Sequence, residues 1–347
     1  MKKKNEKISE VTKTIESTLP FMEIYDNGIF MVKDHFYSKS YEMPDINYDT
    51  QERHEQAAIG MKWANLLGSF DSTVSIQLSG VNRRIDMLDY QNNMLMHYYN
   101  DDLDFYRDES NEILLETLEK SKNNLETLLF LTLTIPAVDI IDATNKFVEY
   151  DKRIEEELGL LTKSQIKAMT TNERINLLYS IYNPDDVLPL IRPRMENGKE
   201  TTTFSIEQCL MQGTTPASVI GPDGLTFLRN RLEMGNSIGS TYYPSLYPTS
   251  MCSDFISSLL KMPCRMLFSC HFRTYEKSEG IKFLKEKNTN IDSNLITKQQ
   301  KAWEGKYDPT LISPELTQAK TETTKMMEEI TTEDAKLFLA TMTTVLF

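Results

Sequence analysis

The chain has 347 residues, of which 40% are hydrophobic and 26% are charged, and its formal net charge is −13. This composition excludes a disordered chain, and the length predicts about two globular domains. An acidic surface repels phosphate backbones, so composition does not favour nucleic acid as the partner. The basic start at 1–7 is not followed by an apolar segment, so a conventional secretory signal is not expected.

The first half of the chain is predicted to begin with a β-hairpin and to continue with alternating helices and strands. The hairpin signal is the turn pair Asn27-Gly28. Asp49 or Thr50 is expected to cap the first helix. In chain order, the predicted elements are strands at 21–25, 29–32 and 35–43, a helix at 51–68, a strand at 74–78, a helix at 109–124, a strand at 125–135 and helices at 138–158 and 173–181.

The stretch 183–203 predicts a boundary, because Pro184, Pro189 and Pro193 precede a polar run. We therefore expect a polar tail at 1–20, a first domain at 21–182, a proline-rich linker at 183–203 and a second domain at 204–347. In that second domain the predicted elements are extended segments up to 247, a helix at 253–261, a strand at 264–274, helices at 276–300 and 314–330 and a strand at 336–347.

Two apolar strands, 128–134 and 337–343, share length, composition and a preceding charged helix. Each also follows a hairpin–helix–strand unit. The pattern predicts an α/β (α+β) fold with two similar mixed sheets, each backed by helices in a duplicated hairpin–helix–strand–helix–strand layout. A chance likeness between two apolar strands is the alternative. Because the last strand ends at Phe347 with no covering helix, the second copy is expected to be truncated.

The sequence offers no candidate residues for nucleotide binding. A phosphate loop needs closely spaced glycines followed by Lys-Ser or Lys-Thr, and no glycine here stands in that register. The most closely spaced glycines, 213, 221, 224, 235 and 239, are typical of turns. No catalytic or cofactor-binding residue is therefore assigned, and this chain is not expected to be an enzyme.

Metal binding has one candidate cluster, Cys264, Cys270 and His271. On a strand, Cys270 and His271 point to opposite faces, so they are not expected to chelate one ion. The four cysteines are predicted to be reduced and mostly buried, and no metal ligand is assigned. The sequence contains no G-x-S-x-G motif, the turn that exposes a nucleophilic serine in many hydrolases. It does contain two pairs of neighbouring histidine and acidic residues, Asp34-His35 and His54-Glu55.

Partner contacts are predicted in the connection between 74–78 and 125–135. Its Met and aromatic residues suit either a core or a binding surface, and we expect mostly core, with part of the connection serving an interface. Arg192 and Arg194 in the linker, like Arg83-Arg84, are more typical of surface salt bridges than of phosphate contacts. The candidate partner contacts are Arg83, Arg84, Tyr98, Tyr99, Phe105 and Tyr106; the other Met and aromatic members are Met87, Tyr90, Met94 and Met96.

Several short runs follow one another in order: YEMPDINY at 41–48, NLLGSFDS at 65–72, IQL at 76–78, DFISSL at 254–259, MLFSCH at 266–271, ITKQQKA at 296–302 and KLFLAT at 336–341. This ordered set resembles the N-terminal half of conjugal-transfer ATPases of the CagE/TrbE/VirB type, in the branch found in integrative conjugative elements of Gram-positive bacteria. The individual motifs are structural rather than catalytic, and the resemblance covers nearly the whole chain, from about Phe21 to Phe347.

The resemblance implies a cytoplasmic, peripheral protein on the inner face of the cell membrane, within a type IV secretion system. Its implied partners are other secretion subunits, including a small inner-membrane protein, and further copies of itself. In that family ATP and Mg²⁺ belong to a C-terminal motor domain. The chain departs from the family there, because it has no Walker motif, and it is expected to be part of a longer ATPase.

Three functional hypotheses stay open from the sequence. The first is the assembly and docking region of a conjugation ATPase. The second is a nucleic-acid-binding accessory of transfer, suggested by Arg83-Arg84 and the interleaved tyrosines. The third, ranked last, is a hydrolase that uses Asp34-His35 or His54-Glu55.

Overall fold

The computed structural model describes residues 15–44, 51–84, 95–120, 125–159, 166–184, 193–196, 199–202, 215–247, 255–305, 314–332 and 335–347. A 3₁₀ turn covers Ile15–Thr18. The helices are α1 (Arg53–Ser69), α2 (Asp104–Lys120), α3 (Ile140–Leu158), α4 (Thr171–Tyr182), α5 (Pro216–Ile220), α6 (Phe255–Leu260), α7 (Lys277–Glu304) and α8 (Pro314–Thr332).

The strands of the first half are β1 (Glu23–Ile24), β2 (Phe30–Lys33), β3 (Phe36–Met43), β4 (Ser75–Arg84), β5 (Leu125–Pro136) and β6 (Lys167–Ala168). Next come β7 (Pro193–Glu196) and β8 (Lys199–Thr202), then β9 (Leu225–Phe227), β10 (Leu232–Met234), β11 (Ser237–Tyr242), β12 (Met266–Thr274) and β13 (Phe338–Leu346). The mixed α/β class expected from the sequence is confirmed, and most predicted elements lie within a few residues of their observed bounds.

The strands join into one 11-stranded sheet in the order β1-β2-β3-β5-β4-β12-β13-β11-β10-β9, with β6 paired to β3. The order β1-β2-β3-β5-β4 in the first half matches β9-β10-β11-β13-β12 in the second, read from the opposite edge. The duplicated layout is thus present in the topology. The expectation of two separate mixed sheets is wrong, because β4 and β12 pair with each other and every pairing is antiparallel. Their pairing removes two long sheet edges that would otherwise expose unpaired N–H and C=O groups.

Strand β13 lies inside the sheet with a strand on each side, although none of its side chains is fully buried. Strand β13 pairs with β12 along its whole length and with β11 at its final residues, where Ser240 lies opposite Leu346. The Phe347 N–H then donates to the Arg265 carbonyl at 3.0 Å. The predicted linker also contains structure, since β7 and β8 form a two-stranded hairpin there.

Local sequence signals explain several of the observed boundaries. Gly28 has a φ of 76° in the predicted hairpin turn, and a Cβ at this position would collide with the Met169 carbonyl. Helix α3 begins at an N-cap, Asp139, whose carboxylate accepts the Asp142 N–H at 2.8 Å. Helix α1 is capped by Glu52; the predicted caps at 49 and 50 lie outside the described residues.

The two faces of the sheet differ in chemistry. One face packs under α1 and α3 and forms the largest apolar core, which includes Tyr41, Ile76, Leu131 and Phe147. Its charged pair is satisfied, since Lys39 Nζ lies 2.7 Å from an Asp151 carboxylate oxygen. The opposite face lies under α4 and carries a stripe of hydroxyl and amide side chains: Ser38, Ser40, Gln77, Ser79, Thr132, Thr134 and Ser269.

Asn82 on β4 holds α6 of the second half against the first half. Its buried amide nitrogen donates to the Leu260 carbonyl at 2.7 Å and to the Met262 carbonyl at 3.3 Å. Its amide oxygen accepts the Thr127 hydroxyl at 2.7 Å. All these groups lose their partner when the amide is removed, and a buried polar group without a partner is destabilising.

We predict that Asn82→Ala lowers the free energy of unfolding by about 1–3 kcal/mol, because it leaves buried carbonyl and hydroxyl groups unbonded. Chemical denaturation followed by circular dichroism measures the change. Asn290→Ala is the matched control, since Asn290 is exposed on α7 and exposed substitutions stay within about 0.5 kcal/mol. Equal midpoints for the two variants would contradict this role of Asn82.

Candidate partner-binding surface

The segment 95–113 exposes most of its large apolar side chains. It comprises a loop followed by the first turns of α2, and we call its apolar side chains the aromatic surface. Phe105 is 73% exposed and Tyr99 is 70% exposed, and the rings of Phe105 and Tyr106 meet edge to face with centroids 5.7 Å apart. The members of the aromatic surface are Met96, Tyr98, Tyr99, Leu103, Phe105, Tyr106 and Ile113.

The loop is held to α2 by a buried amide. Asn111 is 5% exposed, and its side-chain oxygen accepts the Met96 N–H at 2.8 Å while its nitrogen donates to the Met96 carbonyl at 3.0 Å. The side chain thereby makes the paired hydrogen bonds that a neighbouring strand would make. Met96 and the tyrosines that follow it are fixed in position although they are exposed.

Arg107 supplies a second constraint on the same loop. Its Nη1 donates to the carboxylates of Asp101 and Asp104, and its guanidinium lies 4.9 Å from the centre of the Tyr99 ring. The hydrogen bond from Arg107 is the main cause that lowers the pKa of Asp101. Tyr98 is tied down as well, since its hydroxyl donates to Asp108 at 2.8 Å. The aromatic surface is therefore held in one shape, which reduces the entropy lost on binding.

Acidic side chains surround the aromatic surface. The same segment carries Asp101, Asp102, Asp104, Asp108, Glu109 and Glu112. Arg107, the cation of this segment, is occupied by two of these carboxylates. Such a surface favours contact with apolar or basic groups of a protein and repels a phosphate backbone.

The structure brings four of the predicted contact residues together, namely Tyr98, Tyr99, Phe105 and Tyr106. The two predicted arginines have partners of their own. Arg83 Nε lies 2.5 Å from a carboxylate oxygen of Glu126, directly opposite on β5, and Arg84 is also engaged in an interaction. Arg83 therefore supports the pairing of β4 with β5 and offers no free charge to a ligand.

The expectation that this Met and aromatic cluster packs mostly into the core is wrong for its described members. Of the α2 side chains that the structure describes, Asn111 is buried, whereas Phe105, Tyr106 and Ile113 are exposed. Met87, Tyr90 and Met94 lie outside the described residues. Sequence reasoning also missed a second exposed set at the far sheet edge, which comprises Phe227, Ile238, Tyr242, Tyr243 and Leu246.

The other candidate chemistry is dispersed over the fold. Cys270 is buried under α6 whereas His271, its neighbour, points to the other face of β12, as expected from strand alternation. Among the described residues, no group of three His, Cys, Asp or Glu side chains is placed to hold a metal ion. Arg192, Cys209 and Cys252 lie outside those residues, and only the backbone of Arg194 is described.

The two histidine–acid candidates contact neither a hydroxyl nor a thiol among their described hydrogen bonds. His35 Nδ1 lies 3.1 Å from the Val138 carbonyl, and His54 Nδ1 lies 3.3 Å from a Glu52 carboxylate oxygen. Neither arrangement activates a nucleophile.

Comparison with known proteins does not assign the chain to a family. No model of a known protein family matches it, and no curated protein matches it. Within the described ranges, no helix has the length and apolar character that a bilayer crossing requires. The function is therefore argued from the aromatic surface and the fold that presents it.

We predict that Asn111→Ala loosens the loop at 95–103, because the Met96 N–H and carbonyl lose their partner. Hydrogen–deuterium exchange at the amides of 96–99 should become at least about tenfold faster, which corresponds to about 1.4 kcal/mol of lost local stability. Glu112→Ala, at the next and exposed position, is the control and should leave these amides unchanged. Unchanged exchange in Asn111→Ala would show that the amide does not hold the loop.

We also predict that Cys270 resists alkylation in the folded chain. Burial raises the pKa of its thiol to about 11, so roughly a thousandth is thiolate at pH 8. Treatment with iodoacetamide followed by peptide mass spectrometry should label half-buried Cys264 first and Cys270 only after denaturation. Equal labelling rates under native conditions would contradict the burial of Cys270.

Proposed function

We propose that this chain is the assembly and docking region of a conjugal-transfer ATPase in a type IV secretion system. It acts in DNA conjugation by binding a small inner-membrane subunit and other secretion subunits, including its own copies, at the inner face of the cell membrane. Nucleotide hydrolysis belongs in this proposal to the family's motor domain, so no residue of this chain is assigned to ATP or Mg²⁺.

The observation that carries the proposal is the aromatic surface. Exposed apolar side chains that form one patch mark sites of protein contact, and Tyr, Phe and Met are enriched in such interfaces. The hydrogen bonds of Asn111 and the ion pairs of Arg107 hold this patch in place before any partner binds. The patch is also presented between two central strands, β4 and β5, where a rigid scaffold supports a binding loop.

A nucleic-acid-binding accessory is the alternative from a different class. The acidic residues around the aromatic surface and the pairing of Arg83 with Glu126 both speak against it. Bases stack on aromatic side chains, but binding of single strands also needs a positive groove for the backbone. The protein-docking proposal is therefore favoured.

We predict that the double variant Phe105→Ser/Tyr106→Ser loses partner binding while it stays folded, because both side chains are exposed. The affinity-tagged chain is co-expressed with each short membrane protein encoded beside its gene, extracted in mild detergent and purified. One of these proteins should be retained by the native chain, and its retention should fall at least about tenfold in the double variant, as for loss of interface anchors.

Phe227→Ser is the control, because Phe227 is equally exposed at the far sheet edge, and it should retain the membrane protein. The proposal fails if no such protein is retained, or if the two variants lower retention equally. Salt-dependent binding of single-stranded DNA that the double variant abolishes would support the alternative instead. ATP turnover by the purified chain would contradict the assignment of hydrolysis to another domain.

A further inference from the structure

A cavity of about 230 Å³ lies between α4 and the sheet face opposite α1 and α3. Apolar walls come from Phe21 on one side and from Leu178 and Leu267 on others. The strands contribute a floor of polar side chains, namely Ser38, Ser40, Gln77, Thr132 and Thr134. The cavity is smaller than the pockets that hold drug-sized molecules, so its ligand is small.

Arg174 on α4 lines the cavity, and the residue is 7% exposed. Its Nη1 donates to the carbonyls of Gly28 and Ser38 at 2.8 and 2.7 Å, and its Nη2 donates to the Ser38 hydroxyl at 3.0 Å. The Phe30 ring lies 4.0 Å away. These contacts position the side chain, and every group that makes them is uncharged. Three hydrogen bonds leave part of a guanidinium's five N–H donors available.

The positive charge of Arg174 has no acidic counterpart within the described ranges. Burial away from water disfavours the charged form and lowers the pKa of its guanidinium. Lys39 on the opposite face is a useful contrast, because its ammonium pairs with Asp151 at 2.7 Å. A buried charge without a partner is destabilising, whereas an anion beside it offsets the desolvation.

We propose that this cavity binds a small organic anion, whose carboxylate pairs with Arg174 and whose apolar body lies against Phe21, Leu178 and Leu267. The hydroxyls of Ser40 and Thr132 hydrogen-bond to each other at 2.8 Å, so one of the two keeps an O–H that donates to a remaining carboxylate lone pair. A single buried cation matches a monoanion, and the apolar walls exclude inorganic phosphate as the preferred ligand. The inference does not depend on the proposed function.

The cavity also reaches the junction between the two halves of the chain. Gln77 in its floor donates to the Ser79 hydroxyl at 3.0 Å and to the Ser269 hydroxyl of β12 at 3.3 Å. A ligand in the cavity therefore contacts the strand pair that joins the halves, and its binding stabilises the folded chain by mass action.

The test uses hexanoate as the probe, with hexanamide as its neutral analogue and inorganic phosphate as an anion without an apolar body, all at equal ionic strength. Saturating hexanoate should raise the Tm of the full chain by at least about 2 °C. Hexanamide and phosphate should not raise it. Equal shifts with hexanoate and hexanamide, or no shift with hexanoate, would overturn the proposal.

Two variants locate the site. Arg174→Met should abolish the hexanoate shift, and Leu178→Phe should do the same by filling the cavity while the guanidinium is kept. Leu246→Phe, at an exposed position far along the chain, is the control and should keep the shift. If Arg174→Met does not fold, Leu178→Phe decides: a hexanoate Kd weakened at least about tenfold by calorimetry supports the site, and an unchanged Kd refutes it.

Discussion

The antiparallel pairing of β4 with β12 is the interaction on which the rest of this structure depends. It joins two halves of equal strand order into one sheet, with Ser79 opposite Ser269 and their hydroxyls 2.9 Å apart. Strands at a sheet edge expose unpaired backbone groups, and these two long strands satisfy each other. Each half keeps its own strand order, but β4 and β12 join the two into a single sheet.

The same pairing directs the two connections that follow β4 and β12 to opposite ends of these strands. Helix α2 lies in the connection that follows β4, and the α7–α8 hairpin follows β12. Because β4 and β12 are antiparallel, these connections leave from opposite ends. Helix α7 has 28 residues, so it is about 42 Å long. The chain thus presents an aromatic surface at one end of these strands and a long helical hairpin at the other.

Charge burial distinguishes the two faces of the sheet. On the face under α1 and α3, Asp151 binds both the Lys39 ammonium and the Tyr41 hydroxyl, so the charge of Lys39 is compensated. On the face under α4, Arg174 is satisfied only by neutral oxygen atoms and borders a cavity. A buried charge without a partner is destabilising, and an anion in the proposed site would compensate it.

The sequence by itself determined the local elements. The Asn27-Gly28 turn, the strand ending at Pro136 and the long helix beginning beside Asp139 follow from turn chemistry, periodicity and capping, which act over a few residues. The duplicated layout was also visible in the sequence, because it repeats these local patterns. The tertiary structure alone decided that β4 pairs with β12, since residues some 190 positions apart meet through edge complementarity and not through any local signal.

Exposure was likewise decided by tertiary structure. Tyrosines and phenylalanines at helical spacing look alike in sequence whether they face a core or a partner, and only the tertiary structure shows that Asn111 is buried while Phe105 and Tyr106 are exposed. From sequence alone, an arginine within a helix is expected to lie at the surface. Arg174 became a buried charge because α4 lies across the hydroxyl-lined face, a placement set by packing of Leu177 and Ile175 rather than by the local sequence.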